Sequence, residues 1–168
     1  MSSLSDAELA TQHQRYIATE TLVGMVISGV LSVFFVWLIF GSLESVALWG
    51  PKGLVVDFIP QTLAIGFMAV LVPTLLTRKR LKAGKILPRK APLLQWLPNN
   101  VFLRALTMAV IATVLGGIIG TLALQAINAS DWALDHVYIM KTVYGCLVAT
   151  VCAPIGLAVA LGDVQKDD

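Results

Sequence analysis

Four long apolar runs divide the chain, and shorter polar segments separate them. The runs cover residues 16–41, 58–77, 101–127 and 137–162. Each is long enough to cross a hydrocarbon layer of about 30 Å, which takes about 20 helical residues. In lipid every backbone amide must be paired within the chain, and the runs lack the strict alternation of a membrane β-strand. The pattern predicts an all-α fold: a four-helix transmembrane bundle built from two tandem helical hairpins.

Composition supports a membrane protein over a soluble domain. Hydrophobic residues make up 57% of the 168 residues and charged residues only 13%, against about a quarter in a typical soluble domain. Four spans use most of the chain, so we expect one integral membrane domain with tails at residues 1–15 and 163–168. The first span is too long for a cleavable signal peptide and is expected to remain in the mature protein.

Positive charge is concentrated between the second and third spans, in residues 78–100. The basic residues there are Arg78, Lys79, Arg80, Lys82, Lys85, Arg89 and Lys90. Because cytoplasmic loops carry an excess of Lys and Arg, this loop and both termini are predicted to face the cytoplasm. We interpret the loop as a topology determinant, with binding of membrane lipids or an acidic partner as the alternative. It lacks the interleaved aromatic residues of a nucleic-acid-binding segment, so no nucleic acid is expected as a partner.

An ordered set of matches between the two hairpins indicates an internal duplication. The segments "VISGVLSVFFVWL" from Val26 and "VIATVLGGIIGTL" from Val110 share five apolar residues at a constant spacing of 84 positions. Trp49 and Trp132, followed by Thr, Gly and Pro pairs, continue the same order. Chance similarity between apolar helices is the alternative for the aliphatic matches. A duplication of this kind would give parallel repeats about an axis along the membrane normal.

The same alignment suggests a partner for the arginine in the third span. Glu20 and Arg104 are 84 positions apart and fall at equivalent depths, each about one turn inside the membrane. Because a guanidinium binds a carboxylate with two parallel hydrogen bonds, we expect Glu20 and Arg104 to form an intramembrane ion pair where spans one and three cross. Separate snorkelling of both side chains to the headgroups is the alternative.

Small residues recur every four positions along these two spans. The stripes consist of Gly24, Ser28 and Ser32 in the first span and Ala112, Gly116 and Gly120 in the third. Such faces let helix backbones approach closely where lipid supplies no hydrophobic drive for association. They predict helix packing within one chain or between chains, and hence a homo-oligomer or a larger membrane complex.

The fourth span carries a cation near its outer end. Lys141 is expected to snorkel outward or to meet Asp57, Asp131 or Asp135, with binding of an external anion at an outer mouth as the alternative.

Few residues could support catalysis or cofactor binding. His13 and His136 lie on opposite sides of the membrane in this threading, so they cannot together ligate one haem within a monomer, and ligation by a single histidine in an oligomer is the alternative. The sequence has no HExxH motif and no glycine-rich phosphate loop. We therefore expect no enzyme activity and no cofactor or metal. The predicted function is that of a structural or accessory membrane subunit that packs through its small-residue faces, and the alternative is a small oligomeric channel or transporter for a small solute.

Two segments of the second hairpin carry a likeness to known proteins. They are the linker "LQAINASDW" and the segment "CAPIGLAVAL" near the end of the fourth span. In these segments the hairpin resembles small two-helix bacterial inner-membrane proteins of unknown function. The likeness weakens in the first hairpin, whose longer linker contains "WGPKG". The resemblance implies a bacterial inner-membrane location and a duplicated hairpin, and it implies no activity.

Overall fold

The computed structural model describes residues 5–51, 53–89, 93–94, 96–127 and 131–163. Its helices are α1 (Asp6–Phe40), α2 (Leu54–Lys82), α3 (Val101–Ile127) and α4 (Leu134–Ala160), with two short strands, β1 (Ser45–Ala47) and β2 (Asp131–Ala133). All four helices are long and apolar enough to cross a membrane. The predicted all-α four-helix fold is confirmed, and the chain is a multi-pass membrane protein.

Helix ends extend beyond the predicted spans on one side of the bundle. α1 begins ten residues before the predicted span, where Ser5 and Glu8 form a capping box. α2 continues to Lys82, so four of the basic residues assigned to a loop lie on its last turns: Arg78, Lys79, Arg80 and Lys82. Cations there are favoured by the partial negative charge of a helix C-terminus. We call this the basic end of the bundle; Lys90 lies outside the described residues.

The two hairpins interlock. α1 packs mainly on α4, α3 packs mainly on α2, and α2 and α4 pack on each other at the centre. Helices of the same hairpin touch one another much less, and α1 and α3 lie apart on the two flanks. Exchanging the first hairpin for the second leaves this pattern of contacts unchanged, so the fold has pseudo-twofold symmetry about an axis along the bundle.

Small residues sit where the hairpins interlock. A Cβ atom added to Gly145 of α4 would overlap Ser32 Oγ of α1, and one added to Gly66 of α2 would lie 3.3 Å from Ala109 Cα of α3. The predicted stripes face these same contacts: Gly24 and Ser32 lie toward α4, Ala112 and Gly120 pack on α2, and Gly116 lies against Thr62 and Tyr144. Both stripes therefore pack on the central helices of their own chain and not on each other.

A small sheet closes the opposite end of the bundle, which we call the sheet end. β1 and β2 pair antiparallel, with Val46 opposite Trp132. Val46 and Leu48 are buried over Val36 and Leu54 at the ends of α1 and α2. Both strands lie in the polar segments between the predicted spans and were not predicted, because a strand of three residues is too short to show an alternating pattern.

The close approach of α1 and α4 can be tested with one added methyl group. We expect Gly145→Ala to lower the free energy of unfolding by about 1–3 kcal/mol, because the methyl group must displace Ser32. Gly117→Ala on α3 is the matched control, since a Cβ atom there meets nothing within 4 Å. Denaturant titration in mild detergent measures both; equal stability of the two variants would contradict the packing.

Candidate functional site at the two polar ends of the bundle

Arg104 forms the most buried charged contact at the basic end. Asn100 Oδ1 accepts from the backbone N–H groups of Phe102 and Leu103 at 2.9 and 3.2 Å, which starts α3 and places Arg104 in its first turn. The side chain of Arg104 is only 1% exposed, and it donates from Nη1 and Nη2 to the two carboxylate oxygens of Asp163, each at 2.8 Å. A cation is unfavourable at a helix N-terminus, so this bidentate carboxylate offsets both the burial and the helix dipole.

Asp163 also binds a second arginine. Arg78 donates from Nε to Asp163 Oδ2 at 2.8 Å and from Nη2 to the backbone carbonyl of Asn99 at 2.8 Å. Burial disfavours the charged carboxylate, but the hydrogen bonds from Arg104 and Arg78 outweigh it, so the pKa of Asp163 lies below its usual value. One carboxylate thus joins the end of α4 to α2 and α3.

Glu20 has a different partner in a more exposed cluster. Arg80 donates from Nη1 to Glu20 Oε1 and, at 3.2 Å, to Tyr16 Oη. The guanidinium carbon lies 5.4 Å from the centroid of the Tyr16 ring, and Tyr16 Oη is 2.9 Å from Thr77 Oγ1. The side chain of Arg80 remains 38% exposed. This cluster ties α1 to the last turn of α2.

The predicted Glu20–Arg104 pair does not form within the described chain. The two helices that carry these residues lie on opposite flanks of the bundle. Each residue instead pairs within its own hairpin, with a residue at the end of the second helix that lies at the basic end of the bundle. Arg80 and Asp163, the actual partners, are 83 positions apart, close to the 84 that separate Glu20 and Arg104. The two hairpins therefore contain the same contact with the charges exchanged.

Lys141 pairs inside the bundle near the sheet end. Its side chain is fully buried and forms an ion pair with Asp57 in the first turn of α2. The ammonium nitrogen lies 5.3 Å from the centroid of the Phe40 ring. Of the three aspartates predicted as possible partners of Lys141, Asp57 is the one that it contacts. The placement of Lys141 at an outer mouth is corrected, because the side chain faces α2 and not the surface.

A buried amide lies next to this pair. Gln61 is 4% exposed and donates from Nε2 to Ser32 Oγ at 3.1 Å and to the backbone carbonyl of Lys141 at 3.2 Å. Its Oε1 atom has no hydrogen-bond partner among the described residues. Gln61 is not among the residues predicted from the sequence, although an amide within an apolar run is itself a signal, since polar side chains in lipid usually face another helix. Ser32, Gln61, Lys141 and Asp57 together form what we call the inner polar cluster.

The remaining polar candidates are scattered. His13 lies at the basic end, where Nε2 is 2.9 Å from the backbone carbonyl of Leu87, and His136 lies at the sheet end. Within the described ranges, no three His, Cys, Asp or Glu residues come together as a metal site would require. Arg89 bonds the backbone carbonyl of Leu161 through its backbone N–H at 2.8 Å. The side chains of Lys79, Lys82 and Lys85 are exposed.

Comparison with family models, with curated proteins and with solved structures finds no match. The class of the protein, a multi-pass α-helical membrane protein with ion pairs at both ends of its bundle, therefore follows from its own sequence and fold.

The difference in burial between the two basic-end pairs predicts unequal stability effects. Asp163→Asn leaves Arg104 buried without a countercharge and is expected to cost about 3–5 kcal/mol. Glu20→Gln disrupts a pair whose arginine is partly in solvent, and the expected cost is below about 1 kcal/mol. Thermal unfolding in detergent measures both.

The double reversal Glu20→Arg with Arg104→Glu should be less stable than either single variant. Its recovery to wild-type stability would argue for a direct pair between the two residues.

The lowered pKa of Asp163 predicts a pH dependence of stability. Its ion pairs contribute fully above about pH 4, the ordinary range of an aspartate, and the contribution is lost as the pH falls through the lower folded-state pKa. The gap in unfolding temperature between wild type and Asp163→Asn should be constant from pH 7 to about pH 5 and should narrow below about pH 4. A gap that closes near pH 6 would show that another group controls it.

Proposed function

We propose that this chain is a non-enzymatic structural or accessory subunit of a bacterial inner membrane, with its basic end in the cytoplasm. The orientation is supported by the cations on the last turns of α2, since Lys and Arg are enriched on the cytoplasmic side. α1 also supports it: at 35 residues it is about 50 Å long, well beyond the roughly 30 Å of hydrocarbon, and the excess lies at the basic end.

The observation that carries the proposal is the packing of the middle of the bundle. Between the inner polar cluster and the basic end, the central helices meet through fully or nearly fully buried apolar side chains, including Ile65, Val70, Ala149 and Ala153. Gly156 adds to this contact, since a Cβ atom there would lie 3.1 Å from Val70 Cγ1. A solute crossing the membrane through one chain would have to separate α2 from α4.

The outer faces of α1 and α3 are the surfaces we assign to a partner. Most positions of the small-residue stripes predicted to mediate subunit contacts, Ser32, Ala112, Gly116 and Gly120, lie against α2 and α4 of the same chain, so we assign the partner to other faces. The flanking helices instead expose large apolar side chains, such as Val30 and Trp37 on α1 and Ile119 on α3. We propose that a second copy or a larger membrane subunit packs against these faces.

Duplication of an ancestral hairpin fits this architecture. The pseudo-twofold packing of the helices and the two charge-exchanged pairs, Glu20 with Arg80 and Arg104 with Asp163, support it. In this proposal the duplicated unit is one hairpin, and the contact at its basic end was kept while the signs of its charges were exchanged.

The inner polar cluster favours a second candidate, a small channel or transporter. A buried ion pair beside an amide oxygen without a partner is the kind of group that transporters place within the membrane. The cluster lies toward the sheet end, and the packed middle separates it from the basic end.

Thiol labelling distinguishes the two candidates. In a background with Cys146→Ala and Cys152→Ala, we expect Ser32→Cys and Ser28→Cys to resist a membrane-impermeant thiol reagent, because both positions are buried in the bundle. Glu44→Cys in the exposed linker after α1 is the positive control and should react in intact cells.

The same experiment tests orientation. Lys85→Cys, exposed at the basic end, should react only after the membrane is opened. Reaction of Ser32→Cys from outside would favour the transporter, and reaction of Lys85→Cys in intact cells would reverse the proposed orientation.

A further inference from the structure

A groove runs between α1 and α2 in the half of the bundle next to the basic end. It has a volume of about 100 Å³, and its walls are almost entirely apolar. Ser28, Ala69 and Pro73 are buried and form its floor, while Ile27 and Val72 are exposed on its two rims. The groove exists because the hairpins interlock. Since α1 packs mainly on α4 and α2 packs mainly on α3, α1 and α2 contact one another little.

Cations stand at the end of this groove. Leu76 is the last residue of α2 that lines it, and residues three and four positions further lie on the same helix face. Those residues are Lys79 and Arg80. Lys79 is exposed, and Arg80 uses only Nη1 for Glu20 and Tyr16, which leaves the N–H groups of Nε and Nη2 without an acceptor among the described residues.

The charge at this end of the groove is positive. Glu20 lines the groove and bears one negative charge, which Arg80 neutralises, and Lys79 adds one further positive charge. The corresponding end of the second hairpin differs: Arg104 is buried against Asp163, and Asp163 also accepts from Arg78, so the carboxylate is enclosed between two arginines. The exposed cation beside the groove therefore favours an anion at the first hairpin.

We propose that this groove binds an anionic phospholipid from the leaflet at the basic end. One acyl chain lies in the apolar groove between α1 and α2, and the phosphate receives hydrogen bonds from Lys79 and Arg80. A transmembrane helix of a partner would need a wide open face, whereas this groove has a volume of only about 100 Å³ and ends beside Lys79 and Arg80. An acyl chain joined to a phosphate matches both features.

Native mass spectrometry of the full-length protein in mild detergent tests the proposal with two probes, phosphatidylglycerol and phosphatidylcholine with identical acyl chains. We expect phosphatidylglycerol to bind at least about fivefold more tightly, the factor that corresponds to about 1 kcal/mol for one cation near a lipid surface. Lys79→Gln should reduce that preference by about the same factor. Arg15→Gln is the matched control, because it removes an equal charge from an exposed position on α1 outside the groove.

Filling the groove tests the acyl-chain part. Val72→Trp on the rim should weaken binding of both lipids severalfold, whereas Val151→Trp, on the exposed face of α4, should not. Ile27→Trp, on the opposite rim, gives a second filling variant if Val72→Trp unfolds at a lower temperature than wild type.

Several results would overturn the proposal. Equal binding of the two lipids, or an equal effect of Arg15→Gln and Lys79→Gln, would show no headgroup site. Competition by soluble glycerophosphate together with no effect of either filling variant would show a phosphate site without a chain. Binding of a polyglutamate peptide that depends on Lys79, without lipid preference, would indicate an acidic protein partner. None of these results changes the thiol-labelling outcome, so this proposal and the proposed function fail separately.

Discussion

The structure depends on close backbone contact between helices of different hairpins. Lipid gives helices no hydrophobic reason to associate, so they meet where small side chains allow the backbones to approach. Gly145 against Ser32 and Gly66 against Ala109 provide such positions at the two equivalent interfaces, α1 with α4 and α2 with α3. These contacts draw each hairpin toward the other and hold its own two helices apart. The groove between α1 and α2 and the central position of α2 and α4 both follow from that exchange of partners.

The placement of the charges follows from the same packing. A charged group in a membrane must be paired or must reach water, and interlocked hairpins leave two places for it. At the basic end, chain segments outside the bundle supply partners, as Asp163 does for Arg104 and Arg78. Near the sheet end, the contact between α2 and α4 encloses Asp57 and Lys141, and the two charges neutralise one another. An apolar cluster in the middle of the bundle separates these two places, and the proposed packing role rests on it.

The symmetry of the fold is incomplete in a way that bears on function. Both hairpins have an ion pair at the same position, but the first keeps its cation at the surface on α2, while the second buries its cation on α3. One hairpin thereby presents an exposed basic helix end beside an open groove, and the other presents a closed end. If the proposed lipid site exists, the two hairpins divide their roles, with the second stabilising the bundle and the first binding headgroups of the membrane.

The sequence by itself determined the class of the protein, the number of helices and the depth of its charged residues. Hydrophobic length and the cost of unpaired amides in lipid are properties of a segment alone, so the four spans could be read directly. The spacing of 84 positions also placed Glu20 and Arg104 at one level. Only the tertiary structure decided which helices touch, and with that the partners of Glu20, Arg104 and Lys141. A stripe of small residues shows that a helix face can pack closely. It does not show which neighbour packs there, because small side chains such as glycine and serine can accommodate the surface of any neighbouring helix. The same limit applies to Gln61 and to the short strands, whose places are defined by residues far away in the chain.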